Sequence, residues 1–308
     1  MPKVSVLMPT YNQAQYIAQA IKSVLDQTFE DFEFIVVNDC STDDTEQIIQ
    51  KFTTDKRIKV IKNEKNLGDI GNLNKISGLA QGEYIKFLFS DDLLAAPCAL
   101  EEFVRALDEN ADVSLVTSFY EYFGDYGNSF HEHPLVGKAG GYETIKSTVV
   151  SGNWIGGPSN VIFRKSDFAG MKFDGKWRWM SDYDIWHKLL AKGNIYVIPK
   201  FLVRFRLHEA SWSKDNLTNY NNFHDEYYYL KFIRDNDLYA PLKDDEEFKR
   251  VLKRNALRWV DLIPQFYKEK KYNFLKKAAK TILEENLILE CNVKLFKKIG
   301  RKVYKPQS

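Results

Sequence analysis

The sequence predicts an α/β protein, a mainly parallel sheet with helices on both faces, followed by a helical C-terminal appendage. Three observations carry that expectation. Short apolar runs alternate with amphipathic helical stretches from residue 4 to about residue 110, the pattern of repeated strand-helix-strand units. The runs end abruptly in polar turns, most sharply where Tyr84-Ile85-Lys86-Phe87-Leu88-Phe89 stops at Ser90-Asp91-Asp92. From about residue 216 the strand pattern gives way to lysine-rich, aromatic, helical periodicity. The expected division is one α/β domain over 1–215, in halves of 1–110 and 111–215, and a helical region over 216–308.

Residues 4–8 form a short buried strand that Pro9-Thr10-Tyr11-Asn12 interrupts, with Asn12 placed to cap the next helix. Ile17, Ala20, Ile21, Val24 and Leu25 then recur at helical spacing. A second strand over 32–37 turns at Asn38-Asp39-Cys40-Ser41 into a helix over 45–52, and a third over 58–61 leads into a helix bearing Leu73, Ile76 and Leu79. The fourth strand is the run that ends at Asp91 and Asp92. A helix over 98–107, a strand over 113–118 and an aromatic, glycine-bearing stretch to residue 150 follow. Next come a turn at Gly156-Gly157, a strand to Arg164, a helix opening near Ser181, and a strand over 195–198 leading into an extended segment over 201–213. Open sheets bind ligands just beyond the carboxyl ends of their strands. The loops holding Thr10 and Tyr11, Asp39, and the Asp91-Asp92 pair can therefore converge on one site, although each taken singly is equally well a turn or a helix cap.

Hydrophobic residues at 44% and charged residues at 28% are ordinary for a folded chain of 308 residues. A net charge of +2 provides no whole-chain attraction for nucleic acid, and none is expected as a partner. Cys40, Cys98 and Cys291 are too scattered for a zinc ribbon or a disulfide framework and fit reduced thiols in the cytoplasm. No secretory leader and no apolar run of about 18 residues is visible, so a cytoplasmic chain without a membrane span is expected. Near the C-terminus, Val293, Phe296, Ile299 and Val303 can share one side of a helix while Lys294, Lys297, Lys298, Arg301 and Lys302 crowd the others. Such a helix suits peripheral contact with the inner face of an anionic membrane, and equally the outer position in a bundle. Nothing in the sequence specifies an oligomeric state.

The opening Val-Ser-Val-Leu-Met-Pro-Thr-Tyr-Asn, the stretch from Ser23-Val24-Leu25-Asp26-Gln27 to Val37-Asn38-Asp39-Cys40-Ser41, then Asn66-Leu67-Gly68 and Gly82-Glu83-Tyr84-Ile85 fall in register. Together they resemble family 2 glycosyltransferases of the GT-A fold, from residue 3 to about residue 213. The chain has Asn38, Cys40 and Ser90 where family members often carry Asp, Gly and Asp. The resemblance implies an enzyme that moves a sugar from a nucleotide diphosphate donor to a saccharide or lipid-linked acceptor, as in bacterial polysaccharide or glycoconjugate assembly. It implies that 1–110 is the nucleotide half and 111–215 the acceptor half. It also implies that Asp182, second in the Ser181-Asp182 pair before an aromatic-rich helix, is the catalytic carboxylate, and that Gly156 and Gly157 lie under the donor sugar beside the acceptor. The family's Tyr-Arg-x-His-x-x-Ser ending matches at Arg206, His208 and Ser211, which favours a functional His208. Arg204, Arg206 and His208 share one face of an extended segment and can gather charge against a diphosphate, or form a surface stripe.

A departing diphosphate accumulates negative charge, which a hard divalent cation bridging the phosphates relieves. Asp92 is the first candidate ligand and His208 the second, with Asp91 nearer the ribose or the cation's water shell. Mn²⁺ or Mg²⁺ is expected, Mn²⁺ tolerating a mixed carboxylate and imidazole site better. Pro9, Thr10 and Tyr11 are expected around the nucleotide. Asp39 can accept the imide N–H of uracil or thymine, which makes a UDP-sugar the leading donor and a dTDP-sugar the alternative. Asp182 would take the acceptor's proton, and a single displacement of that kind inverts the anomeric carbon. Two other functions compete. A nucleotidyltransferase calls for a glycine-rich basic loop after the first strand, which Pro9-Thr10-Tyr11-Asn12 is not. A non-catalytic nucleotide-sugar binder predicts a broken metal or base position, yet Asp92, Asp182 and His208 are all present.

Overall fold

The computed structural model describes residues 1–177, 179–209 and 221–287. The chain divides into two compact units, Met1–Asp215 and Asn216–Ser308. In the first unit the strands are β1 (Val4–Thr10), β2 (Phe32–Asn38), β3 (Ile58–Lys62), β4 (Tyr84–Phe87), β5 (Leu93–Leu94), β6 (Val113–Gly124), β7 (Ser129–His131), β8 (Gly137–Ala139), β9 (Val161–Arg164) and β10 (Asn194–Leu207). Its helices are α1 (Ile17–Leu25), α2 (Thr45–Gln50), α3 (Gly68–Ser77), α4 (Ala99–Asp108), α5 (Gly141–Ser151), α6 (Lys165–Phe168) and α7 (Ser181–Leu190). One sheet runs in the order β3-β2-β1-β4-β9-β6-β10-β5, with β7 on β6 and β8 on β10.

The first four strands pair in parallel, as the alternation of strands and helices requires. Because the order turns back at β1, where β2 and β4 flank it on opposite sides, a crevice is expected at the carboxyl ends of β1 and β4. Beyond β4 the sheet is mixed: β9 runs antiparallel to both β4 and β6, while β6 and β10 are parallel. Side chains alternate across each strand, and both sets are buried. Val4, Val6, Met8, Phe34 and Val36 join α1 and α4 in one cluster through Ile21, Val24, Leu100 and Phe103. Leu7, Ile35, Ile85 and Phe87 are equally buried and point to the other face, where Phe163 meets Phe168 of α6 and Trp186 of α7.

Local details depart from the sequence expectation for identifiable reasons. Asn12 does not cap α1; its φ is +53° and its side-chain oxygen accepts from the Thr42 N–H at 2.8 Å, tying the first loop to the second. Cys40, where the family resemblance leads one to expect glycine, sits at φ +66°, a conformation glycine adopts without the Cβ penalty. The expected strand over 195–198 and the extended segment after it are one long β10, with register shifts between Ile198 and Phe201 and between Phe201 and Val203. Pro199 lies at the first shift, where it can withhold a ladder hydrogen bond without breaking the strand.

One close approach gives a stability test. A Cβ added to Gly141 at the start of α5 would collide with the carbonyl oxygens of Leu190 and Gly193, both backbone atoms that cannot rotate away. Gly141→Ala is expected to cost about 3 kcal/mol, read as a lower urea midpoint at unchanged slope.

The second unit contains α8 (Asn221–Asp235), α9 (Ala240–Lys243), α10 (Glu246–Asp261), α11 (Ile263–Lys268) and α12 (Tyr272–Glu284). The Asp245 carboxylate accepts from the N–H groups of Glu247 and Phe248 and so caps α10. Trp259, Phe266 and Phe274 stack into the core of α10, α11 and α12, with ring centroids 5.2 to 5.7 Å apart. The helical periodicity of this region is interrupted between α11 and α12 at Lys270, whose φ is +56°. The basic helix expected over 293–305 lies outside the described residues, as does Ser211 of the family ending. No helix among the described residues is long and apolar enough to cross a membrane.

Candidate active site

The chain assembles its acidic site through β5. After β4 the backbone turns at Asp91-Asp92 and enters β5, which pairs antiparallel with β10 as Leu93 with Arg204 and Leu94 with Val203. That pairing carries the far end of β10 back over the acids. The Arg206 backbone N–H donates to an Asp92 oxygen at 3.0 Å, the Arg206 guanidinium to the Asp91 carbonyl at 2.9 Å, and His208 Nε2 lies 3.0 Å from Asp91 Oδ2. Residues 117 positions apart thus meet. His208 also packs on the Tyr16 ring at 4.7 Å.

Asp92 is almost wholly buried, and burial together with the neighbouring Asp91 charge pushes its proton affinity well above the usual carboxylate range. Hydrogen bonds from the Ser159 hydroxyl and the Arg206 N–H, and the Lys86 ammonium, oppose that rise. Two adjacent carboxylates that repel one another, with an imidazole against one of them, are a donor set of the kind a Mg²⁺ or Mn²⁺ ion shares with substrate phosphates. The set is partial: among the described residues no three His, Cys, Asp or Glu side chains already converge as a metal cage.

The first loop stands beside these acids. Ser90 Oγ donates to the Pro9 carbonyl at 3.4 Å, and Thr10 accepts the Asp39 N–H at 2.8 Å. The Thr10 hydroxyl is buried and has no hydrogen-bond partner, while Tyr11 is exposed. Asp39 is differently engaged from the sequence expectation. Its Oδ1 accepts from the Asn63 amide at 2.5 Å and the Leu67 N–H at 2.9 Å, and its Oδ2 from the Gly68 N–H at 3.0 Å. This buried carboxylate holds the start of α3 against the end of β2, work the sequence reading did not assign to it.

Asp182 sits in the first turn of α7, where its Oδ1 accepts the Tyr183 N–H at 2.9 Å. Surrounding protein raises it to about 6 although the side chain keeps some solvent contact. Ser181 is buried beside it. Asp184 points away into the core, bonded to Lys188 at 2.5 Å. The segment 155–160 lies between α7 and the turn after β4: Trp186 of α7 donates to the Gly156 carbonyl at 3.2 Å, and the Ser159 hydroxyl accepts the Phe89 N–H at 2.9 Å. Gly156 holds φ +97° there, with Asn160 and Tyr120 close to where a Cβ would be, and Gly157 lies against Phe205. Asn160 pins the same segment, its amide donating to Thr117 Oγ1 and the Ser118 carbonyl at 2.7 Å each.

The arginines do not gather freely. Arg204 is ion-paired with Glu121 at 2.8 Å, and Arg206 spends a second guanidinium donor on Gln19. Sequence reading missed Lys86, Ser159 and Glu121. The available signal was Lys86, a single charge inside an otherwise apolar strand. Two cavities, about 670 Å³ along residues 74–85 and 165–172 and about 300 Å³ between α2 and β3, are lined by none of Asp91, Asp92, Asp182 or His208.

This sheet order with its helices is the GT-A architecture of its structural neighbours. Staphylococcus aureus TarS 1–349, solved in complex with UDP-GlcNAc, superimposes with a TM-score of 0.65 over 92% of each chain at 18% identity. The mannosyltransferase PcManGT from Pyrobaculum calidifontis, solved with GDP-Man and Mn²⁺, matches with a TM-score of 0.62 over 99% of this chain and 81% of that one at 17% identity. Residues 5–171 match the family model for glycosyl transferase family 2, and the chain belongs to that family. An uncharacterized glycosyltransferase of Methanocaldococcus jannaschii is 34% identical over 211 residues, which span 67% of this chain and 71% of the relative. The protein is a glycosyltransferase.

Proposed function

We propose that the enzyme transfers a sugar from a nucleotide diphosphate donor, a UDP-sugar first and a dTDP-sugar second, to a hydroxyl of a saccharide acceptor with inversion. The observation that carries this reading is the meeting of Asp91, Asp92 and His208 at the carboxyl ends of the strands. One structural neighbour is solved with UDP-GlcNAc and another with GDP-Man, so the fold by itself leaves the base open. Asp92 and His208 would hold a divalent cation, with Asp91 at its water shell or the donor ribose. When bound, that cation neutralises charge on the diphosphate. The Pro9, Thr10 and Tyr11 loop would border the nucleotide, and the buried Thr10 hydroxyl has a donor to offer it. Asp182 would accept the proton of the acceptor hydroxyl. The acceptor oxygen then bonds to the anomeric carbon from the side opposite the diphosphate, whose C–O bond breaks with its electron pair going to the phosphate oxygen.

Thermal unfolding with UDP, dTDP and GDP, each with and without Mn²⁺, tests donor class and metal together. Protection by UDP that requires Mn²⁺ is the expected result, about 2.7 kcal/mol at one hundred times Kd. Protection by GDP alone removes the uridine reading, and metal-independent protection removes the cation.

A further inference from the structure

Arg206 takes no step in the reaction above, and its half-buried side chain is spent on the protein itself. The guanidinium donates through Nε to the Asp91 carbonyl at 2.9 Å and through a terminal nitrogen to Gln19 Oε1 at 2.7 Å. Its carbon lies 4.7 Å from the centre of the Tyr16 ring and 4.3 Å from that of Phe123, distances at which a cation is attracted to an aromatic ring. Tyr16 packs in turn on His208, with ring centroids 4.7 Å apart. The start of α1, the Asp91-Asp92 turn, the end of β6 and the end of β10 thus meet on one group. The Arg206 N–H that donates to Asp92 Oδ1 belongs to the backbone, and any residue but proline would supply it. The side chain adds a second attachment, at the Asp91 carbonyl, so that the strand end and the acid turn are fixed to each other at two places.

We infer that Arg206 is a positioning residue: its guanidinium, steadied by Gln19, Tyr16 and Phe123, keeps the Asp91-Asp92 turn and His208 in the mutual arrangement that the donor complex uses. The inference rests on the proposed cation-holding role of Asp92 and His208. It differs from the expectation that Arg206 gathers charge against the diphosphate, and lysine separates the two. A phosphate accepts a lysine ammonium as a point charge. Holding two acceptors at fixed angles while lying against rings needs the planar fork, which lysine lacks. Groups one step behind metal ligands orient them, and their loss commonly weakens metal binding about 10- to 100-fold.

The experiment titrates Mn²⁺ in the thermal protection of the full chain by saturating UDP, with GDP in parallel, for wild type, Arg206→Met, Arg206→Lys and Gln19→Ala. Both Arg206 variants are expected to need at least about 10-fold more Mn²⁺ for half of the protection, the lysine variant regaining little of the loss. Gln19 is exposed, so Gln19→Ala leaves the packing intact, and loss of its hydrogen bond to the guanidinium should raise the Mn²⁺ requirement about 2- to 10-fold. A lysine variant close to wild type beside a shifted methionine variant would assign Arg206 to phosphate and overturn the positioning role. If wild-type protection needs Mn²⁺ and neither Arg206 variant needs more, Arg206 only packs β10 and the inference falls alone. If wild-type protection ignores Mn²⁺, the metal reading falls and the inference with it. Should neither Arg206 variant fold, Gln19→Ala decides: a shifted requirement supports the hold, and an unshifted one overturns it.

Discussion

Asp182→Asn is expected to lower transfer by about 10²- to 10⁴-fold, the range contributed by a positioned general base, while UDP protection stays within a factor of two or so. The separation follows from placement. Asp182 belongs to the first turn of α7, whereas the acids proposed to hold the donor lie on the turn after β4. The pH profile has a defined sign. With Asp182 raised to about 6, the ionised base is lost as pH falls through that value, so kcat/KM should drop tenfold per unit below about 6. Stability runs the other way. A carboxyl raised above its unfolded value favours the folded state most when protonated, so stability falls as pH rises from about 4 to about 6. The asparagine variant escapes that loss and should be about 1–2 kcal/mol more stable at pH 7. Near-normal turnover in Asp182→Asn would remove this residue from the mechanism.

Asp39→Ala is expected to destabilise the protein by about 3–5 kcal/mol, as large a loss as breaking a buried charged network produces. Its carboxylate accepts the N–H groups of Leu67 and Gly68 and the amide of Asn63, and the alanine would strand all three. The measurement is a urea unfolding curve beside a UDP binding isotherm. A residue that served only the nucleobase would leave the urea midpoint nearly unmoved and abolish UDP binding. The structure instead predicts a lowered midpoint, and a UDP affinity that falls together with the order of the 63–68 loop.

Much of this fold is legible in the chain because its signals are local. The β-α periodicity through residue 110 depends on spacing alone, and the parallel order of β1 to β4 follows from the helices between them. The abrupt end of β4 at Asp91-Asp92 marks the site for the same reason. Residues 119–150 resist reading because β7 and β8 are three residues each, too short to show a period, and exist only by pairing with β6 and β10. The interruption at Lys270 is hidden because one backbone angle leaves the helical pattern of the flanking residues intact.

The sequence alone determined an α/β architecture and the strand-end acids, since residue type and order suffice for each, while the transferase activity and Asp182 as the candidate base came from the family resemblance its motifs carry. Tertiary structure decided their company. It joined His208 to Asp91, committed Asp39 to the loop before α3, drew Arg204 to Glu121, and tied Lys86 to Ser159. The first of these pairings lies where β5 folds back onto β10, a contact between residues more than one hundred positions apart. Hydrogen bonds and charges act over a few ångströms of space, and spacing along the chain carries no measure of that distance.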